Sequence, residues 1–197
     1  IEKLSNTISV FGFEIAVYGL IIGIGVILGA ALAFREAKIT GQSVDDYIDL
    51  ALYGVIFGII GASLYYVIFS WDYYGEHPEK IIRIDEGGLA IYGGIIAGVI
   101  TCVILAKIKK ISFWQMADTA ILGLIVGQIL GRWGNFFNRE AFGCDSNGLF
   151  AMRIDTWDDG VAVRVPSTVS YIDEQCRYIQ VQPTFLYESC WNLLLLI

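Results

Sequence analysis

Residues 15–34 read IAVYGLIIGIGVILGAALAF, twenty residues without a charge. At a rise of ~1.5 Å per residue this run is long enough to cross the ~30 Å hydrocarbon core of a bilayer as one helix. Leu50–Ser70 is a second uninterrupted apolar stretch, and Leu89–Ala106 and Phe113–Leu130 follow the same pattern. A fifth run, Phe185–Ile197, stops after 13 residues. That is short of the ~20 a span needs, so the chain is expected to be a piece of a longer protein. The composition agrees with the runs: 56% hydrophobic residues and a mean hydropathy of +0.62 belong to packed membrane helices and not to a water-soluble domain. The expected fold is an all-α polytopic membrane bundle, one integral membrane domain over residues 1–197 with about five spans. Glycines recur at helical spacing within the runs, as Gly19 and Gly23, Gly25 and Gly29, Gly54 and Gly58, Gly94 and Gly98, and Gly123, Gly127 and Gly131. Such ridges let helix backbones approach closely where lipid removes the hydrophobic drive for association.

The short loops suggest an orientation. Arg35 and Lys38 follow the first span and Lys107, Lys109 and Lys110 the third, against Lys3, Lys80 and Arg83 on the opposite side. Positive charge accumulates on the cytoplasmic side, which puts the N-terminus outside. The loop 71–86 and the polar insert of about 136–182 are then external. That insert holds short alternating runs, Phe150–Ile154, Val161–Val165 and Tyr178–Gln182, broken by Gly, Asp and Pro, and reads as a small extracytoplasmic head with β segments. Pro183 suits the first turn of the helix that follows, where a missing N–H does no harm.

The formal charge of −7 is spread over the loops, and no basic face exists for nucleic acid. Residues 1–13 lack a basic n-region and a cleavage site, so the first span is expected to act as the insertion signal. Cys102 and Cys190 lie in apolar runs and read as small buried hydrophobes, while Cys144 and Cys176 bracket the polar insert and could form a disulfide. His77, the only histidine, sits in a charged loop and reads as solvated. With no zinc spacing, phosphate loop or Ser-His-Asp set, chemistry would fall to Arg, Asn, Tyr and Glu, and no metal or cofactor is expected.

The most polar stretch at the end of a span is Gly131-Arg132-Trp133-Gly134-Asn135-Phe136-Phe137-Asn138-Arg139-Glu140-Ala141-Phe142-Gly143. Two arginines, two asparagines and a glutamate at the mouth of a membrane helix are costly unless they bind something, and a lipid phosphate is the densest anion at that depth. A continuous helix would gather Arg132, Asn135 and Arg139 on one arc with Glu140 further round. Alternatively, Gly131 and Gly134 let the backbone unwind and present its N–H groups to a ligand. The competing structural reading is an interface arginine that pairs with Glu140 or snorkels to headgroups.

Helix counting brings further polar groups to the same level. Tyr18 and Tyr92 fall within about two turns of the outer ends of the first and third spans, and Tyr187 and Glu188 fall at the outer end of the fifth. Asp118 lies near the opposite end of the fourth span and reads as a helix-start or interfacial carboxylate. Tyr92 follows Asp85-Glu86-Gly87-Gly88-Leu89-Ala90-Ile91 and precedes Gly93-Gly94, a setting that allows close approach of a ligand or a backbone. Both tyrosines are open to a second reading as aromatic-belt anchors.

The block Gly131–Gly143 resembles the signature of the prolipoprotein diacylglyceryl transferase family, Gly-Arg-x-Gly-Asn-Phe-x-Asn-x-Glu-x-x-Gly, at each defined position. Tyr18-Gly19, the turn around Tyr92, and Gln182-Pro183-Thr184-Phe185-Leu186-Tyr187-Glu188 extend the resemblance over nearly the whole chain. It implies a multi-pass enzyme of the bacterial plasma membrane, with seven spans in full-length members and an active site toward the outer leaflet. It implies transfer of a diacylglyceryl group from phosphatidylglycerol to the lipobox cysteine of a prolipoprotein, releasing glycerol phosphate, with no metal or nucleotide. By this resemblance Arg132, Tyr92 and Glu140 are the catalytic candidates, and Arg132, Asn135, Asn138, Tyr18, Gly143 and Glu188 the residues that bind phosphatidylglycerol.

Two positions depart from the family's pattern. Tyr92 and Gln182 stand where many members carry histidine, and a tyrosine of ordinary pKa near 10 is a poor base at neutral pH, so Tyr92 is expected to hydrogen-bond or steer. The resemblance also implies a further arginine after the fifth span, which this sequence does not include. The alternative from another class is a transporter or anionic-lipid scaffold, in which the same cluster recognises an anion and cleaves nothing.

Overall fold

The computed structural model describes residues 7–10, 13–82, 88–157 and 163–197. A short antiparallel hairpin comes first: β1 (Thr7–Val10) pairs with β2 (Phe13–Ala16), Thr7 opposite Ala16 and Val10 opposite Phe13. The alternation Thr7-Ile8-Ser9-Val10 carries a period-two signal. It also corrects the expected start of the first span, because Ile15 and Ala16 belong to the strand and α1 runs Val17–Ile39. The helices that follow are α2 (Val44–Phe69), the single turn α3 (Trp71–Tyr74), α4 (Ile91–Lys109), α5 (Phe113–Asn138) and α6 (Thr184–Leu196), with a 3-10 turn at Pro78–Lys80. Among the described residues, α1, α2, α4 and α5 are long and apolar enough to cross a membrane. Arg83, Glu86, Lys3 and the glycine-rich lead Asp85–Gly87 lie outside the described residues.

The chain divides into two compact units, Ile1–Gly29 with Leu122–Ile197, and Ala30–Ile121. In the first, α1 and α5 touch backbone to backbone. A Cβ on Gly29 would stand 2.5 Å from the carbonyl oxygen of Gly123, and a Cβ on Gly123 would stand 2.7 Å from that of Gly29. No other residue type fits there without parting the helices. In the second unit Gly61 and Gly93 play the same part between α2 and α4: a Cβ on Gly61 would meet Ala97 Cβ and Gly93 O, and one on Gly93 would meet Gly61 O and Tyr65 Cβ.

Three helices stop in the same way. Gln42 N–H reaches back to Ala37 O, Ile111 N–H to Ala106 O, and Glu140 N–H to Asn135 O. In each case the residue before the donor is left-handed: Gly41 (φ 72), Lys110 (φ 58) and Arg139 (φ 52). This six-to-one bond over a left-handed residue is the Schellman stop, which caps carbonyls the helix leaves open.

Residues Ala37, Tyr47, Cys102, Leu105, Ala106 and Met116 form the buried cluster of the second unit. Beside it the Gln42 amide donates to Thr119 Oγ1 at 2.9 Å, and the Tyr47 hydroxyl donates to Gln42. Lys109 Nζ lies 3.2 Å from an Asp46 oxygen and 2.5 Å from an Asp49 oxygen. Asp118 is the sixth residue of α5, near that helix's start. Cys102 is buried, whereas Cys190 is exposed on α6, against expectation. An apolar run marks a helix as membrane-type without saying which face each residue takes.

Within the insert, β3 (Met152–Asp155) and β4 (Tyr178–Val181) pair antiparallel, with Ile154 opposite Ile179. Ile154, Val169, Ile179 and Val181 make its core. Val163–Val165 carries no strand, and Val161 and Ala162 lie outside the described residues. Both Cys144 and Cys176 are free and exposed. Their separation follows from the sheet: Cys144 O accepts from Gln182 N–H at one end of β4, while Cys176 O accepts from the Thr156 hydroxyl past the other end. The four-residue step from Tyr178 to Gln182 alone spans about 13 Å at strand rise, beyond the ~7 Å Cα limit of a disulfide. At that far end Arg177 grips Asp155 with Nε at 3.0 Å and Nη2 at 2.6 Å. This two-point pairing, helped by the Trp157 N–H, holds the Asp155 carboxyl below the usual carboxylate range.

Candidate active site at the end of helix α5

The signature block is helical through Asn138, so Gly131 and Gly134 do not unwind it. Gly134 has a steric reason to be glycine: a Cβ there would lie 2.6 and 2.8 Å from Cδ2 and Cε2 of Tyr18. The second residue of α1 thus lays its ring against α5, where its phenol is within electrostatic range of Arg132 and Glu140. Arg132 and Asn135, three positions apart, share a helix face. Arg139 does not join them, because it is the left-handed stop residue and leaves the helical arc. Holding an arginine in that region costs roughly 1–2 kcal/mol, and Ala141 (φ 53) repeats the conformation two residues on.

The stop sets up the polar cluster. It binds Glu140 N–H to Asn135 O at 3.1 Å, which folds the Glu140 side chain back over the last turn. Glu140 Oε1 then accepts from Asn135 Nδ2 at 3.1 Å and from Asn138 Nδ2 at 3.2 Å. With its amide donor committed to Glu140, Asn135 turns Oδ1 toward Arg132, whose Nη1 donates to it at 3.4 Å. Arg132 Nη2 makes an ion pair with Glu188 of α6. The sequence left open a pairing of Arg132 with Glu140; the partner is instead Glu188, distant in sequence, while Glu140 serves the two carboxamides. Side-chain exposure is 34% for Arg132 and 47% for Glu188, so the pair is open to a ligand.

Helix α6 is docked on α5 by its own contacts. Phe185 packs against Trp133 (5.2 Å between centroids) and Phe136 (4.7 Å), and the Ser189 hydroxyl donates to Ile129 O at 3.1 Å. Pro183 stands one residue before the first turn, and its carbonyl accepts from Leu186 N–H and Tyr187 N–H. The segment leading into it is tied to the end of the block: Gly143 N–H donates to Gln182 O at 3.0 Å, and the Thr184 hydroxyl donates to Ala141 O. A Cβ on Gly143 would meet Gln182 Cβ at 2.9 Å, so this position admits glycine only if Gln182 stays. Sequence reading passed over Gln182, Thr184 and Ser189 as supports. Gln182 and Thr184 lie within the run 182–188 that carries the resemblance, whereas Ser189 lies just beyond it and gives no signal.

Tyr92 belongs to the second unit. It is the second residue of α4, 67% exposed, with its ring 6.4 Å from that of Tyr65. The neighbouring Gly93 lies on the α2 backbone at Gly61, and Gly88 (φ 88) leaves room for Tyr74 and Tyr66. The glycines around Tyr92 therefore serve helix contact and a turn. Tyr187 is exposed, and His77 lies 3.4 Å from Glu79 in an exposed loop.

A family model described as prolipoprotein diacylglyceryl transferase matches residues 6–197. Over 175 residues the chain is 46% identical to a protein of Bacillus licheniformis named phosphatidylglycerol–prolipoprotein diacylglyceryl transferase, covering 89% of this chain and 61% of that relative. Relatives of the same name from Bacillus cereus and Bacillus mycoides are each 44% identical over 180 residues, covering 91% of this chain and 63% of theirs. The chain spans about three fifths of the length of the curated relatives it matches.

Proposed function

Because this chain belongs to the prolipoprotein diacylglyceryl transferase family, we propose that it transfers the sn-1,2-diacylglyceryl group of phosphatidylglycerol to the lipobox cysteine thiol of a prolipoprotein. The glyceryl carbon–oxygen bond to phosphate breaks, a carbon–sulfur bond forms, and glycerol phosphate leaves with the electron pair while the thiol gives up its proton. The leaving phosphate gains one negative charge in that step. A fixed guanidinium in a partly dry site stabilises such charge where it develops.

The observation that carries this reading is the bonded series Glu188, Arg132, Asn135, Glu140, Asn138 at the end of a membrane-type helix. Arg132 holds the phosphate and takes up its growing charge. Asn135 and Asn138, oriented through Glu140, offer carboxamides to the glycerol headgroup, and the Glu140 carboxylate acts through them. Tyr18 and Gly143 shape the walls of the site. An unperturbed thiol of pKa near 8.5 is mostly protonated at neutral pH, so the positive field of Arg132 also favours the attacking thiolate. The loop charges support a multi-pass protein of the bacterial plasma membrane with Arg132 toward the outer leaflet, where the head built on β3 and β4 would meet the arriving lipoprotein.

The test is release of labelled glycerol phosphate from phosphatidylglycerol vesicles holding the whole protein, on addition of a lipobox-cysteine peptide. The enzyme releases it in step with peptide modification. A transporter or lipid scaffold retains the same anion preference and releases nothing.

A further inference from the structure

Arg132 already has an anion: the carboxylate of Glu188 contacts the very nitrogen, Nη2, that Asn135 leaves available. We propose that Glu188 is a built-in competitor for the donor's phosphate, holding Arg132 in place when the site is empty and yielding it when the headgroup enters. The inference rests on the phosphatidylglycerol reading above and assigns to Glu188 a positioning role that sets affinity, in place of direct contact with the lipid.

Three observations carry it. First, the backbone under Glu188 is held independently, by Phe185 on Trp133 and Phe136 and by the Ser189 hydroxyl on Ile129 O. The side chain can therefore swing away without undocking α6. Second, Glu188 is about half exposed, so its carboxylate is not packed in by the side chains around it and has room to turn away from Arg132. A buried carboxylate would not, and its pair would be a fixed strut. Third, the neighbouring charges disfavour a third anion while the pair persists. Arg132 stands between Glu188 on α6 and the Glu140 carboxylate, to which it is linked through Asn135. A phosphodiester arriving at that point meets one guanidinium shared with a carboxylate, and like charges on one donor compete. Nη1 and Asn135 keep the guanidinium plane fixed during the exchange.

The experiment measures displacement of a fluorescent phosphatidylglycerol from the whole protein in nanodiscs, against diacylglycerol, which lacks the phosphate, as the reference lipid. Removing the competing charge by Glu188→Gln is expected to tighten phosphatidylglycerol about fivefold, the scale of an exposed ion pair, with no change for diacylglycerol. The same variant lowers KM without raising kcat, since the reacting atoms are untouched. Glu188→Asp, one methylene shorter, keeps the carboxylate but loosens the pair, and is expected to tighten binding about twofold. If either folded variant binds phosphatidylglycerol as wild type does, or more weakly, Glu188 is no competitor. If the wild-type protein itself shows no preference for phosphatidylglycerol over diacylglycerol, the functional reading fails first and independently of Glu188.

Discussion

Helices α4 and α5 end alike and serve different purposes. Each finishes in a Schellman stop with a long basic residue forced left-handed, Lys110 in one and Arg139 in the other. Each also carries a basic side chain gripped by carboxylate: Lys109 by Asp46 and Asp49, Arg132 by Glu188. At the end of α4 the account closes. Two carboxylates three positions apart on the first turns of α2 enclose one ammonium, placing acids at a helix N-terminus and a cation at a helix C-terminus, where both dipoles favour them. At the end of α5 it stays open. The guanidinium keeps N–H donors beyond the two contacts made by Nη1 and Nη2, and the carboxamides are oriented by a carboxylate that follows the stop. The same backbone device thus yields a staple when the charges are matched locally and a binding site when they are relayed.

The sharpest way to break that contrast is to remove each cation. Arg132→Ala is expected to lower glycerol phosphate release at least about 10³-fold in protein that still inserts, as loss of a transition-state donor does. Lys109→Met should leave release within about twofold and lower the thermal unfolding midpoint. Equal losses from both would erase the distinction. Next comes the relay: Glu140→Ala frees both carboxamides and is expected to cost about 10²-fold in release, the scale of a small misplacement. Glu140→Gln, which keeps an acceptor oxygen for one of them, should retain clearly more. If Gln is as damaging as Ala, the carboxylate acts by its charge and not by holding Asn135 and Asn138.

How much of this could be read beforehand differs between the two ends. Hydropathy found the spans but not the helices. Thus α1 continues to Ile39 through Arg35 and Lys38, α2 begins at Val44 with Asp45 and Asp46, and α5 runs on to Asn138. Apolar runs report the bilayer, while helices extend past it wherever propensity allows. The candidate residues Arg132, Asn135, Asn138 and Glu140 were legible because they stand within one short block whose pattern is specific. What joins Arg132 to Glu188 was not, since it depends on how α6 lies against α5, and 56 positions separate them. The left-handed Arg139 was also hidden. Such stops usually advertise themselves with glycine, as Gly41 does, and arginine gives no such signal.

Smaller effects sharpen the comparison from outside the site. The Asp155 carboxyl is held below its ordinary range by Arg177, so its contribution to the head is complete above the unfolded value near 3.9 and is lost as pH falls through the lower folded value. The protection factor of the Thr156 amide, which donates to Arg177 O, should therefore fall only below about pH 4, and Arg177→Met should abolish that acid step; an unchanged step would assign it elsewhere. The smallest expected change is Lys110→Gly, which relieves the left-handed strain at the end of α4 and should stabilise by up to about 1 kcal/mol with release unaltered. Thermal unfolding of the variant checks it, and a lower midpoint would contradict the strain assigned to that stop.

Photo-crosslinking asks whether the end of α5 grips a phospholipid headgroup. A phosphatidylglycerol carrying a photoreactive group on its terminal glycerol is activated in membranes containing the protein, and the labelled peptides are mapped by mass spectrometry. Label is expected within Gly131–Gly143, competed by unmodified phosphatidylglycerol and lost in Arg132→Ala. Label that avoids this block, or that persists unchanged without the guanidinium, would contradict that grip.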